Sequence, residues 1–394
     1  MKLSHFVLAL VCLSLSPVCF AEEGVADLGI GAAAPDFELP GIDGKTYRLA
    51  DFQDGKVLVV FFTSNHCPTS HGAADRLKTF LADYRPQGVE FVAINPNHPD
   101  GLSIDELGYS KYGDGFEDMK KYAAEEGFDF PYLYDGDTQA VAKAYGCLAT
   151  PHVFVFDADR KLRYKGGFDD SRFGGDDSTV KTPYTRNAVK ALLAGEAVPV
   201  EITKPEGCST KWRSKHADIA KKMERWNEVP VDVEPIDAEG VAALRAGGTD
   251  NIRLYNVWAT WCAPCIVEFP ELVSASRQYD MRNFEFINIS ADDPKELPTQ
   301  LPKIKAFLEK NNAGLSPRLQ KSVKAEGRKS NSYVYTGEKL EDLMKALDPD
   351  WPGGLPHTVL VDTNGKILWR KNGPVTSDEL RAQILGHLGN YYTR

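Results

Sequence analysis

The sequence predicts an α/β fold that occurs twice in one chain, each copy with a central mixed β-sheet flanked by helices. Predicted strands alternate with predicted helices in both halves of the 394 residues. A strand that leads to a cysteine at the start of a helix occurs at Cys67 and again at Cys262, and a later strand opens after Pro151 and again after Pro356. The cysteines lie 195 residues apart and the prolines 205 apart, which indicates that a whole domain is repeated.

The composition agrees with two globular domains. One hydrophobic core rarely serves 394 residues, and an apolar fraction of 42% argues against long disordered stretches. The net charge of −10, together with the lack of a dense basic run, argues against nucleic acid and anionic membrane surfaces as partners.

The first residues predict a targeting segment. Lys2 precedes an apolar run at residues 6–15, and small residues lead to Ala21. We expect cleavage after Ala21 and export to the periplasm or the exterior, with a lipid anchor on Cys19 as the alternative. No apolar run reaches the ~18 residues of a membrane span, so stable membrane insertion is not expected.

The domain organisation follows from the composition along the chain. Residues 196–235 are rich in proline and charge around a polar helix at 216–226, which indicates a connection between domains. The predicted units are the targeting segment 1–21, a first domain 22–212, a helical linker 213–234 and a second domain 235–394.

In the first domain, apolar alternation on both sides of an Asp-Gly turn predicts a hairpin at residues 35–52. The β-branched and aromatic run 56–64 predicts a strand covered on both faces, and Pro68 suits the first turn of a helix that extends to Tyr84. The further predicted elements are a strand at 89–95, helices at 114–126 and 139–145, a hairpin formed by 152–157 and 161–164, and a helix at 185–194.

The second domain repeats this order. The predicted elements are helices at 240–245, 264–279, 301–311, 339–347 and 377–388, strands at 253–258 and 284–290, and a hairpin formed by 357–362 and 367–370. Between residues 313 and 350, only the helix at 339–347 is predicted.

Cysteine usage indicates redox chemistry. After removal of the targeting segment five cysteines remain, and an odd number leaves at least one thiol free. Cys262 follows a strand at the start of a helix, where unpaired N–H groups favour a thiolate, and Cys265 lies one turn later, within reach of a mixed disulfide. The alternatives are a structural disulfide and half of a zinc site, for which no second pair of ligands at suitable spacing exists.

The motif Trp-Ala-Thr-Trp-Cys-Ala-Pro-Cys-x-x-Glu-Phe-Pro at 258–270, followed by Leu355-Pro356, resembles the TlpA/ResA-type exported thiol–disulfide oxidoreductases of the thioredoxin superfamily. The resemblance covers roughly residues 235–394 and implies a thioredoxin-like fold. It also implies that Cys262 is the nucleophile, that Cys265 resolves the mixed disulfide, and that Glu268 tunes the pair.

The resemblance further implies that Pro356 belongs to a cis-proline loop. A cis peptide bond at such a position is rarely present by accident. The backbone of Leu355 is then expected to pair with an extended substrate peptide.

The first domain keeps the nucleophile position at Cys67 but has Ser70 where the second cysteine belongs. Any catalytic cycle at Cys67 therefore needs a resolving thiol elsewhere. Cys147, four residues before Pro151, is the leading candidate, and Cys208 is the second.

Four segments of this domain, at 65–68, 147–151, 167–171 and 207–212, resemble a peroxiredoxin-like, AhpC/TSA-related redoxin branch over residues 28–212. The resemblance implies a second thioredoxin-like fold and hydroperoxides as substrates of Cys67, with Pro151 beside the site. Val60 stands where typical peroxiredoxins carry a proline.

Three functions remain open from the sequence. The first is an exported enzyme that couples the Cys262–Cys265 site to the Cys67 domain and acts on protein disulfides and hydroperoxides, with a thiol electron donor. The second is a reductase for cytochrome c maturation with an inert first domain. The third is a copper carrier that uses Cys67, His66 and His71. Apart from this third reading, no cofactor is expected beyond the redox-active disulfide.

Overall fold

Two separate mixed sheets form the centre of the structure, a computed structural model that describes residues 24–392. The predicted targeting segment lies outside the described residues. Helices flank both sheets, which confirms the predicted α/β class with two tandem domains. Among the described residues, no helix combines the length and the apolar character that crossing a membrane requires.

The first domain is built around a five-stranded sheet. Its elements are β1 Glu38–Pro40, β2 Thr46–Arg48, β3 Val57–Phe62, α1 Pro68–Tyr84, β4 Val89–Asn95, α2 Phe116–Glu126, β5 Tyr132–Tyr134, α3 Ala140–Tyr145, β6 Ala149–Thr150, β7 His152–Phe156, β8 Leu162–Gly166, α4 Tyr184–Leu193 and β9 Cys208–Ser209. The strand order is β5-β4-β3-β7-β8, with β3, β4 and β5 parallel and β7 and β8 antiparallel to their neighbours.

A connecting helix and a six-stranded sheet follow. The elements are α5 His216–Asn227, β10 Glu234–Ile236, α6 Ala238–Arg245, β11 Ile252–Trp258, α7 Ala263–Gln278, β12 Phe284–Ser290, α8 Leu297–Lys310, α9 Pro317–Ala325, β13 Ser332–Tyr335, α10 Leu340–Leu347, β14 His357–Val361, β15 Ile367–Asn372 and α11 Ser377–Leu388. The strand order is β10-β13-β12-β11-β14-β15.

The central strands are buried on both faces, as their continuous apolar runs predict. Alternate residues of β3 contribute to two different apolar clusters, because successive side chains of a strand point to opposite faces. One cluster contains the inner face of α1 and the other contains α3. In the second domain, α7 and α11 cover one face of the sheet, while α6 and α10 cover the other.

The structure contains short elements that the sequence did not predict, namely β5, β6, β9, β10, β13 and α9. The strands span two to four residues, which is too few to show a period, and they form where a partner strand offers hydrogen bonds. Helix α8 begins at Leu297 rather than at residue 301, since Pro298 occupies the first turn, where a missing N–H is tolerated.

The two domains meet at one end of α7. The 3-10 helix Ile104–Tyr109 of the first domain lies against this end, and its carbonyl groups accept hydrogen bonds from Gln278 Nε2 at 3.1 Å and Arg282 Nη1 at 2.8 Å. Gly108 is required there, because a Cβ would lie 2.5 Å from the Gln278 carbonyl oxygen. The contact is therefore made at the C-terminal end of α7, opposite to Cys262.

A buried ion network stabilises the second domain, and we expect it to be sensitive to loss of its one central carboxylate. Glu285 is 0% exposed and accepts from Arg253 at 2.8 Å and from Arg328 at 2.5 Å. Glu285→Gln leaves only the partly exposed Glu326 paired with Arg253 and Arg328, and loss of the buried carboxylate should lower the free energy of unfolding by about 3–5 kcal/mol in chemical denaturation. The exposed pair Lys305–Glu309 provides the control, since Glu309→Gln should cost at most about 1 kcal/mol. Equal losses in both variants would contradict the role of burial.

Candidate active sites

The second domain places a disulfide at the start of α7. Cys262 is the residue before the helix, in extended conformation (φ −87°, ψ 96°), and Cys265 lies one turn later. The two sulfur atoms are bonded, and the Cα atoms lie 5.3 Å apart. When the bond is reduced, the helix N-terminus stabilises a thiolate on Cys262, because its N–H groups lack helical partners.

Glu268 lies one turn after Cys265 on the buried side of α7 and is 3% exposed. Its carboxylate accepts hydrogen bonds from Val375 N at 2.7 Å and from Asn256 Nδ2 at 2.9 Å. Burial raises the pKa of Glu268 to about 7, against the opposite effect of these two hydrogen bonds. A carboxyl group that titrates near neutral pH on the same helix face can exchange a proton with the Cys265 thiol.

The loop before β14 contains a cis peptide bond between Leu355 and Pro356, as predicted. Strand β14 pairs with β11, with His357 opposite Val257, and this register places the loop at the end of the sheet where α7 begins. Leu355 is half-buried and belongs to no strand pair among residues 24–392. Its backbone is therefore available to a further extended segment.

The surface beside the disulfide carries large apolar side chains. Trp261 is 69% exposed and Val267 is 79% exposed. Trp258 and Trp351, in contrast, are buried in the core of the domain. Exposed apolar groups of this size beside a reactive centre are typical of a surface that binds other proteins.

Cys67 occupies the equivalent position before α1 but is completely buried. Burial alone would disfavour the thiolate. The hydrogen bond from the Cys208 side chain, the charge of His66 and backbone N–H groups outweigh this effect and lower the pKa of Cys67 to about 5. These contacts therefore favour the ionised form of the Cys67 thiol.

Cys208 lies directly against Cys67. Its backbone N–H donates to Cys67 Sγ over 3.3 Å, and the hydrogen bond between the two side chains raises the pKa of Cys208 above its usual range. Strand β9 holds Cys208 in place by antiparallel pairing with β6, with Cys208 opposite Thr150. Gly207 allows this approach, because a Cβ there would lie 2.0 Å from the Thr150 carbonyl oxygen.

Cys147, the leading candidate from the sequence, lies in the apolar cluster on the sheet face opposite to α1. Its sulfur lies 3.4 Å from the Ala149 carbonyl oxygen and 3.5 Å from Thr210 Oγ1. Burial raises the pKa of Cys147 to about 12. A buried thiol that stays protonated reacts poorly, so the geometry favours Cys208 over Cys147 as the resolving cysteine.

The cis-proline loop of the first domain is occupied by the chain itself. The Thr150–Pro151 peptide bond is cis, and the Thr150 carbonyl oxygen lies 3.1 Å from Cys67 Sγ. Thr150 also pairs with Cys208, so its backbone is not available to a substrate strand. The two domains thus have the same arrangement of strand, helix and cis-proline loop. The loop at Leu355 is open, since no strand pairs with it among the described residues, and the loop at Thr150 is closed, since strand β9 pairs with it.

Buried aspartates that the sequence did not reveal hold the loop before each cysteine. Asp114 accepts from the backbone N–H groups of Asn65 at 2.8 Å and His66 at 3.2 Å. Asp292 accepts from Thr260 N at 3.1 Å. Asp114 comes 19 residues after β4 and Asp292 only two after β12, so no common spacing marks them.

The histidines near Cys67 are engaged with the protein. His66 Nδ1 lies 2.5 Å from an Asp114 oxygen, and His71 Nε2 lies 2.7 Å from the Asn65 carbonyl oxygen. Within the described range 24–392, no group of three or more His, Cys, Asp or Glu side chains is placed to hold a metal ion.

The Cys67 site lies near the contact between the two domains, whereas the Cys262–Cys265 site lies far from it. Cys262 is at the N-terminal end of α7, and 16 helical residues, roughly 24 Å, separate it from the end that touches the first domain. The Cys67 site is nearer to the contact, since His71, one turn after Cys67, stacks on Tyr392 of the C-terminal segment at 5.0 Å. Exchange between the two sites within one molecule therefore requires a different arrangement of the domains.

Comparison with known proteins gives a separate match for each half of the chain. The profile of the AhpC/TSA family matches residues 30–165, and the Redoxin profile matches residues 244–384. The thiol:disulfide interchange protein HelX of Rhodobacter capsulatus is 31% identical over 158 residues, which are 39% of this chain and 70% of HelX. The thiol-disulfide oxidoreductase ResA of Geobacillus thermodenitrificans is 28% identical over 136 residues, 34% of this chain and 68% of ResA.

Peroxiredoxin Bcp of Escherichia coli is 28% identical over 155 residues, 36% of this chain and 86% of Bcp. The crystal structure of an uncharacterized conserved protein from Geobacillus kaustophilus is 41% identical, with coverage of 47% of this chain and 93% of that one and a TM-score of 0.42. The chain therefore belongs to the family of thiol–disulfide oxidoreductases that includes HelX, as a tandem of an AhpC/TSA-type domain and a Redoxin-type domain, and it is also related to peroxiredoxins.

Proposed function

We propose that this protein is an exported thiol–disulfide oxidoreductase that acts on protein disulfides at Cys262–Cys265 and on hydroperoxides at Cys67. The observation that carries the proposal is the contrast between the two cis-proline loops. The open backbone at Leu355, beside the exposed Trp261, suits an extended protein client. The Cys67 site is closed by strand β9, which suits a small oxidant. Export rests on the targeting segment predicted at residues 1–21.

At the second site, the Cys262 thiolate attacks a client disulfide, a new S–S bond forms to Cys262, and one client sulfur leaves as a thiolate. Glu268 accepts the proton of Cys265, whose thiolate then attacks the sulfur of Cys262. This step restores the Cys262–Cys265 disulfide and releases the second client sulfur. An external dithiol donor reduces the disulfide for the next cycle, and reaction in the reverse direction oxidises a dithiol client.

At the first site, the Cys67 thiolate attacks the terminal oxygen of a hydroperoxide. An S–O bond forms, the O–O bond breaks, and the leaving oxygen takes a proton to give an alcohol or water. The Cys208 thiol condenses with the resulting sulfenic acid, which forms the Cys67–Cys208 disulfide and releases water. An external dithiol, or the reduced Cys262–Cys265 pair of another molecule, returns this disulfide to two thiols and is itself oxidised to a disulfide.

A role as a reductase in cytochrome c maturation, with protein disulfides as clients of Cys262, is the second candidate. It rests on the same open loop at Leu355, and it differs from the first candidate in requiring no chemistry at Cys67. The trapping experiment below identifies the clients, and the peroxide experiment separates the two candidates.

Replacement of the resolving cysteine should trap clients. In Cys265→Ser, the mixed disulfide at Cys262 cannot be released by the second thiol, so disulfide-linked complexes should accumulate and be visible on non-reducing gels. Reduction of insulin disulfides by this variant should fall by at least about tenfold. The matched variant Cys67→Ser should retain wild-type insulin reduction. If the Cys265→Ser variant forms no disulfide-linked complexes with extracytoplasmic proteins, the proposed class of clients is wrong.

Peroxide should oxidise Cys67 and Cys208 together. One equivalent of hydrogen peroxide added to the reduced protein should give a Cys67–Cys208 disulfide in peptide mapping, because the structure holds the two side chains in contact. Cys208→Ser should instead leave a sulfenic acid on Cys67, detected as a dimedone adduct. Cys147→Ser, the control, should form the same disulfide as the wild type. A Cys67–Cys147 disulfide, or a Cys67 that does not react, would rule out the assignment.

The release step at the second site should depend on the ionisation of Glu268. The pKa of Glu268 is raised to about 7, so the carboxylate that accepts the Cys265 proton is present above pH 7 and is lost as the pH falls below it. The rate of mixed-disulfide release should therefore rise through pH 7 in stopped-flow measurements. Glu268→Gln should remove this inflection and slow release by at least about tenfold. Glu271→Gln, an exposed position on the same helix, should leave the profile unchanged.

A further inference from the structure

An ion pair lies beside Cys67 that the proposed chemistry has not yet used. Asp114 and His66 are both buried, at 1% exposure each, and His66 Nδ1 lies 2.5 Å from Asp114 Oδ2. His66 directly precedes Cys67, so the pair and the reactive sulfur share one water-poor environment.

The hydrogen bonds to Asp114 identify it as an ionised carboxylate. Its two oxygens accept hydrogen bonds from the backbone N–H groups of Asn65 and His66 and from the Asn97 side-chain amide at 2.7 Å, and His66 Nδ1 is in hydrogen-bond contact with one of them. An ionised carboxylate only accepts hydrogen bonds, whereas a protonated one would bring an O–H that needs an acceptor of its own. Three N–H donors on its two oxygens and the charge of His66 outweigh the effect of burial and lower the pKa of Asp114, so the carboxylate form is favoured and His66 Nδ1 is the fourth donor.

A buried carboxylate requires a positive partner, and His66 is the group in contact with it. Burial alone would keep His66 neutral, but Asp114 outweighs this effect and raises the pKa of His66. With Nδ1–H donated to Asp114, the imidazolium carries a second N–H at Nε2. That atom is buried and makes no hydrogen bond among residues 24–392.

We infer that His66, held as an imidazolium by Asp114, is the counter-ion of the Cys67 thiolate, and that Asp114 is a positioning residue of the Cys67 site. The charge of His66 acts on the neighbouring, fully buried Cys67 sulfur through space, because Nε2 donates to no atom among residues 24–392. The helix N-terminus contributes backbone N–H groups, but the fixed positive charge comes from the side chain of His66. This inference rests on the proposed role of Cys67 and names the residues that make its thiol reactive.

Other charged and titratable groups face this pair from neighbouring elements. Lys211, which follows β9, opposes the charge of His66, and Cys208 on β9 donates to Cys67. Tyr132 on β5 donates its hydroxyl to Asn65 Oδ1 at 2.8 Å and stays protonated, because burial raises its pKa well above the usual range. The test therefore changes Asp114 and His66 themselves, because each can be replaced with little alteration of shape.

The test uses the full-length reduced protein and the rate of alkylation of Cys67 by iodoacetamide between pH 4 and 9, quantified on the Cys67 peptide by mass spectrometry. His66→Asn keeps an N–H donor toward Asp114 but removes the charge. Asp114→Asn removes the anion that holds the imidazolium. Both variants should move the midpoint of the alkylation profile upward by about 1–3 pH units, and a shift of two units lowers the thiolate fraction at pH 6 about tenfold.

Asp135→Asn provides the matched control, since Asp135 is another aspartate of this domain, 1% exposed, that binds backbone N–H groups at the start of α3. Its alkylation profile should coincide with that of the wild type. Insulin reduction by Cys262–Cys265 and the circular dichroism spectrum report whether each variant is folded. If Asp114→Asn does not fold, His66→Asn alone decides.

The outcomes separate this inference from the proposed function. A folded His66→Asn variant with the wild-type midpoint would overturn the role of His66 and leave the proposed function intact. A wild-type midpoint near that of an ordinary thiol, about 8.5, together with no reaction with peroxide, would instead overturn the proposed function at Cys67.

Discussion

The antiparallel pairing between the central strand and the strand that follows the cis-proline is the constraint on which both sites depend. Phe62 lies opposite His152 in the first domain, and Val257 lies opposite His357 in the second. Each pairing fixes a cis-proline loop beside the cysteine at the start of the next helix. The position of the cysteine, the N–H groups of the helix and the backbone edge of the loop are therefore set together by one register.

Although this register is the same in both domains, the surroundings of Cys67 and Cys262 differ. In the second domain the edge before Pro356 is left without a partner strand among the described residues, and exposed apolar side chains lie beside the disulfide. In the first domain strand β9 occupies the corresponding edge and brings Cys208 onto Cys67. A distant part of the chain thus brings a second thiol, Cys208, against Cys67, whereas the helix itself offers Ser70 at the position of the second cysteine.

The two domains also differ in the contacts that support the loop before the cysteine. Each uses a buried aspartate that accepts a backbone N–H two residues before the cysteine, from Asn65 to Asp114 and from Thr260 to Asp292. In the first domain the same carboxylate also binds His66, which joins loop support to the charge balance of the thiol. In the second domain the carboxyl group whose pKa is raised is Glu268, which lies on the helix itself, one turn after Cys265.

Local patterns predicted the repeated α/β architecture and the cysteine before each of the two helices, because apolar runs and helix starts are recognisable from neighbouring residues, and the cis geometry before Pro356 was implied by the family resemblance. The sequence by itself could not determine which thiol meets Cys67. Cys147 is nearer to Pro151 in sequence, but the sheet lies between its cluster and α1, whereas β9 crosses to the cis-proline loop from residue 208. The short strands, Asp114 and the open or closed state of each loop were likewise decided by the tertiary structure, since they arise from contacts between segments whose separation along the chain follows no local period.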